Sequence, residues 1–65
     1  MCQATVILVQ DGEERVIMRD VILLTPQEDG LRLQALFEEP VTVKAEVSSI
    51  DFLKHTVTLA PLEDG

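Results

Sequence analysis

Turn-forming residues interrupt this chain at roughly ten-residue intervals, and that spacing constrains the fold more than any other feature. Asp11-Gly12, Pro26 and Pro40 separate short runs rich in β-branched residues, and no helix of normal length is indicated. The runs predicted as strands are 4–10, 16–18, 21–25, 31–37, 41–43, 47–52 and 56–60, with a kink at Asp20 and a weakly helical link at 44–46. The pattern predicts an all-β fold, a small SH3-like barrel of five to six short antiparallel strands, as a single domain over residues 1–65.

Alternation with period two predicts which side chains form the core. It places Leu31, Leu33 and Ala35 on one buried face of their strand. The whole predicted core is Val6, Leu8, Val16, Leu23, Leu33, Leu36, Ile50, Phe52, Val57 and Leu59. If the Phe52 ring is fully buried, truncation to alanine is predicted to remove roughly 3–5 kcal/mol of stability.

The length and composition favour self-association. A chain of 65 residues is close to the lower limit for an independent hydrophobic core, and its single cysteine cannot form an internal disulfide. At 46% hydrophobic residues, the chain has apolar surface available for a second subunit. A homodimer is therefore the simplest expectation.

The charge balance argues against several classes of partner. The net charge is −7, and the five basic residues are dispersed, so neither nucleic acid nor an anionic membrane is an expected partner. No apolar run approaches the roughly 20 residues of a membrane helix. With no basic leader at the start and a single cysteine, we expect a cytoplasmic protein.

Cys2, the only cysteine, is the leading candidate for chemistry. The amine of Met1, the backbone nitrogen of Cys2 and its thiolate can close two fused five-membered rings around a soft or borderline metal ion. A buried cysteine acting as a small hydrophobe is the alternative, and a position next to the chain start argues against it. Metal binding, redox reactivity and simple packing all remain open at this point.

The other polar residues have simpler interpretations. His55, the only imidazole, falls in a predicted turn and is interpreted as solvent-exposed, because its spacing matches no zinc motif. The acidic pairs Glu13-Glu14, Glu28-Asp29 and Glu38-Glu39 also fall at predicted turns. No catalytic cluster emerges, so we do not expect an enzyme.

The whole chain resembles the CooT family of small nickel-binding proteins. The resemblance rests on the Met1-Cys2 start before a β-branched strand, and it continues over nearly all of the chain. The further matching segments are 15–21, 36–39 and 50–59. The resemblance implies an SH3-like fold, a homodimer, Ni(II) binding through Cys2 and a role in nickel supply to carbon monoxide dehydrogenase or its maturation machinery. Some members of the wider family are predicted to bind RNA, but the negative charge of this chain argues against that function here.

Elementary coordination chemistry agrees with that implication. Ni(II) accepts square-planar coordination by nitrogen and thiolate ligands, and one Cys2 supplies too few donors for a closed site. Two chains related by a twofold axis supply two sulfurs and two nitrogens. Two alternatives remain: a β-barrel module that binds a protein or RNA without using Cys2 as a metal ligand, and a thiol redox sensor, which needs cations near the thiol.

Overall fold

The computed structural model describes residues 3–62, which form one six-stranded sheet. Its strands, in chain order, are β1 (Ala4–Gln10), β2 (Glu13–Gln27), β3 (Gly30–Ala35), β4 (Val41–Val43), β5 (Ala45–Asp51) and β6 (Thr56–Pro61). They lie side by side in the order β4-β3-β2-β1-β6-β5. The sheet curls into a half-barrel, so the prediction of a small all-β, SH3-like fold is confirmed.

The first two turns form as their residues predict. Asp11 and Gly12 both have positive φ, 55° and 80°, which is the backbone conformation of a tight hairpin whose twist matches its strands. Glu28 and Asp29 form the turn between β2 and β3, where Gln27 pairs with Gly30. Both turns connect antiparallel neighbours.

Strand β2 is one long element where two strands were predicted. Its 15 residues run through the predicted kink at Asp20, which has a φ of 57°. Around this point the register with β1 shifts, and after it β2 begins to pair with β3 from Val21 onward. The half of β2 before the kink therefore pairs with β1 and the half after it pairs with β3, which bends the sheet.

Two local predictions were wrong. The link at 44–46, predicted to be weakly helical, is a bend at Lys44 followed by Ala45 and Glu46 as the first residues of β5. Strand β6 pairs with β1 in parallel, from Thr5 beside Thr56 to Leu8 beside Leu59, so the sheet is not purely antiparallel. Parallel neighbours need a long connection, which the intervening strands provide.

The core is smaller than predicted. The buried side chains of the described residues are Val6, Val21, Leu31, Leu33, Ala35, Ala45, Val57 and Leu59, and Leu8 packs half-buried against them. This confirms the predicted burial of Val6, Leu33, Val57 and Leu59 and of the inner face of β3.

The remaining predicted core residues are exposed: Val16, Leu23, Leu36, Ile50 and Phe52. The physical reason is that the barrel is not closed. Strands β4 and β5 are the two edges of the sheet and do not pair with each other along their length. With dimensions of 37 × 23 × 15 Å, the curled sheet leaves one end of its core uncovered. Phe52 is 80% exposed, so the large stability loss predicted for its truncation no longer follows.

Candidate metal site

The candidate site is built around the start of β1, next to the turn between β5 and β6. The backbone N–H of Thr5 donates a hydrogen bond of 2.9 Å to the carbonyl oxygen of His55. This contact continues the parallel pairing of β1 with β6 by one residue toward the chain start. Met1 and Cys2, the predicted metal ligands, lie outside the described residues, so their metal binding stays a prediction.

The turn that carries His55 is held by two short hydrogen bonds. The N–H of Lys54 donates to Oδ1 of Asp51 at 2.9 Å, and the hydroxyl of Thr56 donates to the carbonyl of Lys54 at 3.0 Å. His55 itself has a φ of 52°, a left-handed conformation that histidine adopts more readily than bulky apolar residues. Its backbone position relative to the start of β1 is therefore well determined.

The structure confirms that His55 is an exposed turn residue, but it adds a neighbour that sequence reasoning missed. His55 lies beside the start of β1 because β1 and β6 are adjacent. Nothing in the local sequence signals this contact. A parallel pairing between the first and last strands was the only observation that would have revealed it.

Beside this turn, the uncovered end of the core forms an open apolar groove of about 350 Å³. Buried Val6, Val21 and Val57 contribute to its floor, and exposed Ile50 and Phe52 contribute to its rim. Ile50 pairs with Val57 across β5 and β6, so their side chains share the concave face of the sheet. Leu23, Gln3 and His55 also line the groove, which therefore reaches the residue that follows Cys2.

Residues 3–62 do not contain a complete metal site. Within this range, no three histidine, cysteine or acidic side chains come together in a way that could hold an ion. A larger concavity, of about 450 Å³, lies at the opposite hairpin between β1 and β2, where exposed Glu13, Glu14 and Arg15 contribute to its lining. The acidic pair there is at the surface, as predicted.

No helix in the part of the chain that the structure covers is long and apolar enough to cross a membrane.

The fold and the site define a class: a small, incompletely closed β half-barrel in which the start of β1 lies beside a histidine-bearing turn and an apolar groove. A family model described as "CO dehydrogenase accessory protein CooT" matches residues 1–60. The chain therefore belongs to the CooT family of CO dehydrogenase accessory proteins.

A solved structure gives the same result. The fold is similar to a crystal structure provisionally described as CooT from Carboxydothermus hydrogenoformans, with a TM-score of 0.87 and 26% sequence identity. The match covers 95% of this chain and 100% of the other. A search of curated proteins found no match.

Proposed function

We propose that this protein is a Ni(II) carrier that supplies nickel for the maturation of carbon monoxide dehydrogenase. The observation that carries the proposal is membership of the CO dehydrogenase accessory family together with a Met1-Cys2 start. The role is transport of the ion without catalysis, so the protein is not an enzyme. Its client is the dehydrogenase itself or the machinery that matures it.

The donor set suits nickel. The Cys2 thiolate is the principal ligand, and nitrogen donors come from the Met1-Cys2 start. Nitrogen and thiolate ligands together favour square-planar Ni(II). An ion held near the surface by a few donors is also accessible to a client that must accept it.

His55 is a further donor that the fold makes available to this site. Imidazole is a ligand that suits nickel, and the hydrogen bond between Thr5 and His55 fixes the turn next to the start of β1. Gln3, the residue after Cys2 in the sequence, lines the same groove as His55. We therefore include His55 among the candidate ligands.

A second chain completes the site. The described residues hold no three-ligand cluster, and one Met1-Cys2 start offers few donors. The apolar groove next to the chain start supplies a surface that a second copy can cover. The protein accordingly acts as a homodimer that shares one ion across its twofold axis.

The test is a nickel titration followed by absorbance. The wild-type protein is expected to develop a thiolate-to-nickel charge-transfer band that saturates at one ion per two chains. Cys2→Ser is expected to abolish the band and tight binding. His55→Ala is expected to weaken binding while the band survives, and His55→Gly, compatible with the positive φ of residue 55, controls for backbone strain. Asp29→Ala removes a distant turn side chain and is expected to leave binding unchanged.

Proton release provides an independent readout. The free thiol has a pKa of about 8.5 and the free α-amine about 7.7–8.0, and both must lose a proton to bind. Binding therefore releases protons, and affinity is expected to fall steeply between roughly pH 8 and pH 6. An added N-terminal extension, which removes the free amine, is expected to weaken binding. Full nickel affinity in Cys2→Ser would overturn the carrier proposal and leave a protein-interaction module as the better account.

A further inference from the structure

The turn after β3 carries an aromatic side chain that is fully exposed. Phe37 is 102% exposed, and its φ is 63°. A bulky side chain rarely adopts positive φ, and such conformations are concentrated where they serve binding or switching. Leu36 beside it is also half-exposed, so this turn forms an apolar protrusion.

The apolar groove offers a complementary shape. Its volume of about 350 Å³ is open to solvent, and Leu23, Ile50 and Phe52 on its rim are 50%, 49% and 80% exposed. An aromatic ring that enters such a site buries roughly 150–250 Å² and makes favourable contacts with another ring at its edge. The groove is thus suited to an aromatic side chain.

Groove and protrusion lie on opposite sides of the same segment of β2. Val21 pairs with Ala35, the last residue of β3, and also with Ala4, the first residue of β1. Phe37 is two residues beyond Ala35, whereas Ala4 and Val21 line the groove. A twofold axis near this segment therefore brings the Phe37 turn of each copy toward the groove of the other, in a self-complementary contact.

The charges next to each feature also complement one another. Glu38 and Glu39 directly follow Phe37 and are exposed. Lys54 and His55 lie in the exposed turn at one end of the groove. Insertion of Phe37 brings these two carboxylates toward Lys54, while Asp51, which also lines the groove, opposes them, so the favourable charge contact is confined to the Lys54 side.

The exposed surface of this chain is large enough for a second copy to cover part of it. The chain exposes 5000 Å², whereas a compact folded monomer of its mass exposes about 4,100 Å². The difference is similar to the roughly 800 Å² that each partner contributes to a standard interface.

We propose that Phe37 of each protomer inserts into the apolar groove of a second copy of this chain, and that these two reciprocal contacts anchor the homodimer. The inference rests on the dimer of the proposed function and deepens it by naming the anchoring residue and its receptor. It also places Gln3, the residue after Cys2 in the sequence, at each of the two occupied grooves.

The test is the dimer dissociation constant, measured by sedimentation equilibrium with chelator and again with one Ni(II) per two chains. Phe37→Ala removes the protrusion, and Ile50→Glu blocks the groove with a charge that repels Glu38 and Glu39. Each is expected to weaken the dimer by roughly 30-fold or more, as loss of a central interface residue does. Val16→Ala and Val16→Glu are the matched controls, because Val16 is an exposed apolar residue that pairs with Ile7 and does not line the groove. Both are expected to leave the dimer dissociation constant unchanged.

Mixing the two variants gives the sharper result. A heterodimer of Phe37→Ala and Ile50→Glu chains keeps one intact contact, because the first chain retains its groove and the second its protrusion. Either homodimer has none. Native mass spectrometry of an equimolar mixture is therefore expected to show the heterodimer in clear excess over both homodimers, and circular dichroism verifies that both variants are folded.

The possible failures are distinguishable. A wild-type protein that dimerises while Phe37→Ala dimerises equally well would overturn this inference alone, as would a mixture with no excess of heterodimer. A wild-type protein that stays monomeric with and without nickel would overturn the shared-ion site as well. Loss of nickel binding in Cys2→Ser with the dimer intact supports the carrier proposal, and the loss of the dimer in Phe37→Ala supports this inference.

Discussion

Gly30 is the residue whose backbone geometry depends most clearly on having no side chain. Its φ is 152°, and a Cβ atom placed there would lie 2.1 Å from the carbonyl oxygen of Val43. That approach joins the start of β3 to the end of β4, where Leu31 pairs with Val43. The close contact lets the end of β4 lie directly against the start of β3 at this edge of the sheet.

We expect Gly30→Ala to destabilise the protein by at least about 2 kcal/mol, because backbone strain and a clash with main-chain atoms act together. Urea denaturation at a fixed protein concentration measures the loss. Gly12→Ala is the matched control, since Gly12 also has positive φ but nothing lies within 4 Å of the added methyl group. Equal losses at both positions would contradict the role of the Val43 contact.

At the residue level, the sequence predicted the backbone conformation of turns better than it predicted which distant residues are in contact. Asp11-Gly12 specified its own turn, because the need for positive φ is local. His55 was correctly predicted to lie in an exposed turn, but its position beside the chain start depends on a strand far away in sequence. Phe37 and Phe52 have the residue type of core positions, but both lie in turns and are exposed at the surface.

Strand β2 is the element that gives the sheet its shape. It exchanges one partner strand for another at Val21, directly after Asp20 takes its left-handed conformation. Aspartate tolerates this conformation better than β-branched residues do, because its side chain is short and polar. Asp20 therefore permits a sharp bend within a continuous strand.

We expect Asp20→Val to destabilise the fold by roughly 1–2 kcal/mol, since valine disfavours positive φ and favours a straight strand. Asp20→Asn, which keeps a residue suited to that conformation, is expected to change stability by less than about 0.5 kcal/mol. Thermal unfolding of the three proteins under identical conditions provides the comparison. A valine variant as stable as the wild type would show that the bend does not depend on this residue.

At the element level, the strand runs were largely predictable because a strand's signal is its own alternation and the turns that bound it. The alternation of β3 was confirmed residue by residue. The parallel partner of β1 was not predicted, because pairing between distant strands leaves no local signature. The degree of barrel closure was equally hidden, since it depends on how strongly β2 bends.

The whole molecule exposes apolar surface that a second subunit can remove from water. If two copies associate as proposed, folding and association are coupled by mass action. We expect the midpoint of thermal unfolding to rise by roughly 5–10 °C when the protein concentration increases a hundredfold in the presence of chelator. Differential scanning calorimetry measures this shift, and a midpoint independent of concentration would argue for a stable monomer.

The charge of the whole molecule leads to a different expectation. The net charge is −7, and Arg15 lies in β2, whereas Lys44 and Lys54 lie in the bend before β5 and the turn after it. Approach to phosphate is therefore unfavourable, and few counterions are released on contact. We expect no retention of single- or double-stranded oligonucleotides in a mobility-shift assay at physiological salt. Micromolar binding that weakens with added salt would contradict this.

The parallel contact between β1 and β6 also sets an order of events during synthesis. Thr5 cannot meet Thr56 until the last strand has left the ribosome, whereas the hairpin of β1 and β2 can form early. An unfinished chain has its cysteine, but the histidine-bearing turn is not yet docked beside the start of β1. A nascent protein therefore cannot assemble the full set of proposed donors, and under the carrier proposal it binds nickel more weakly than a completely translated chain.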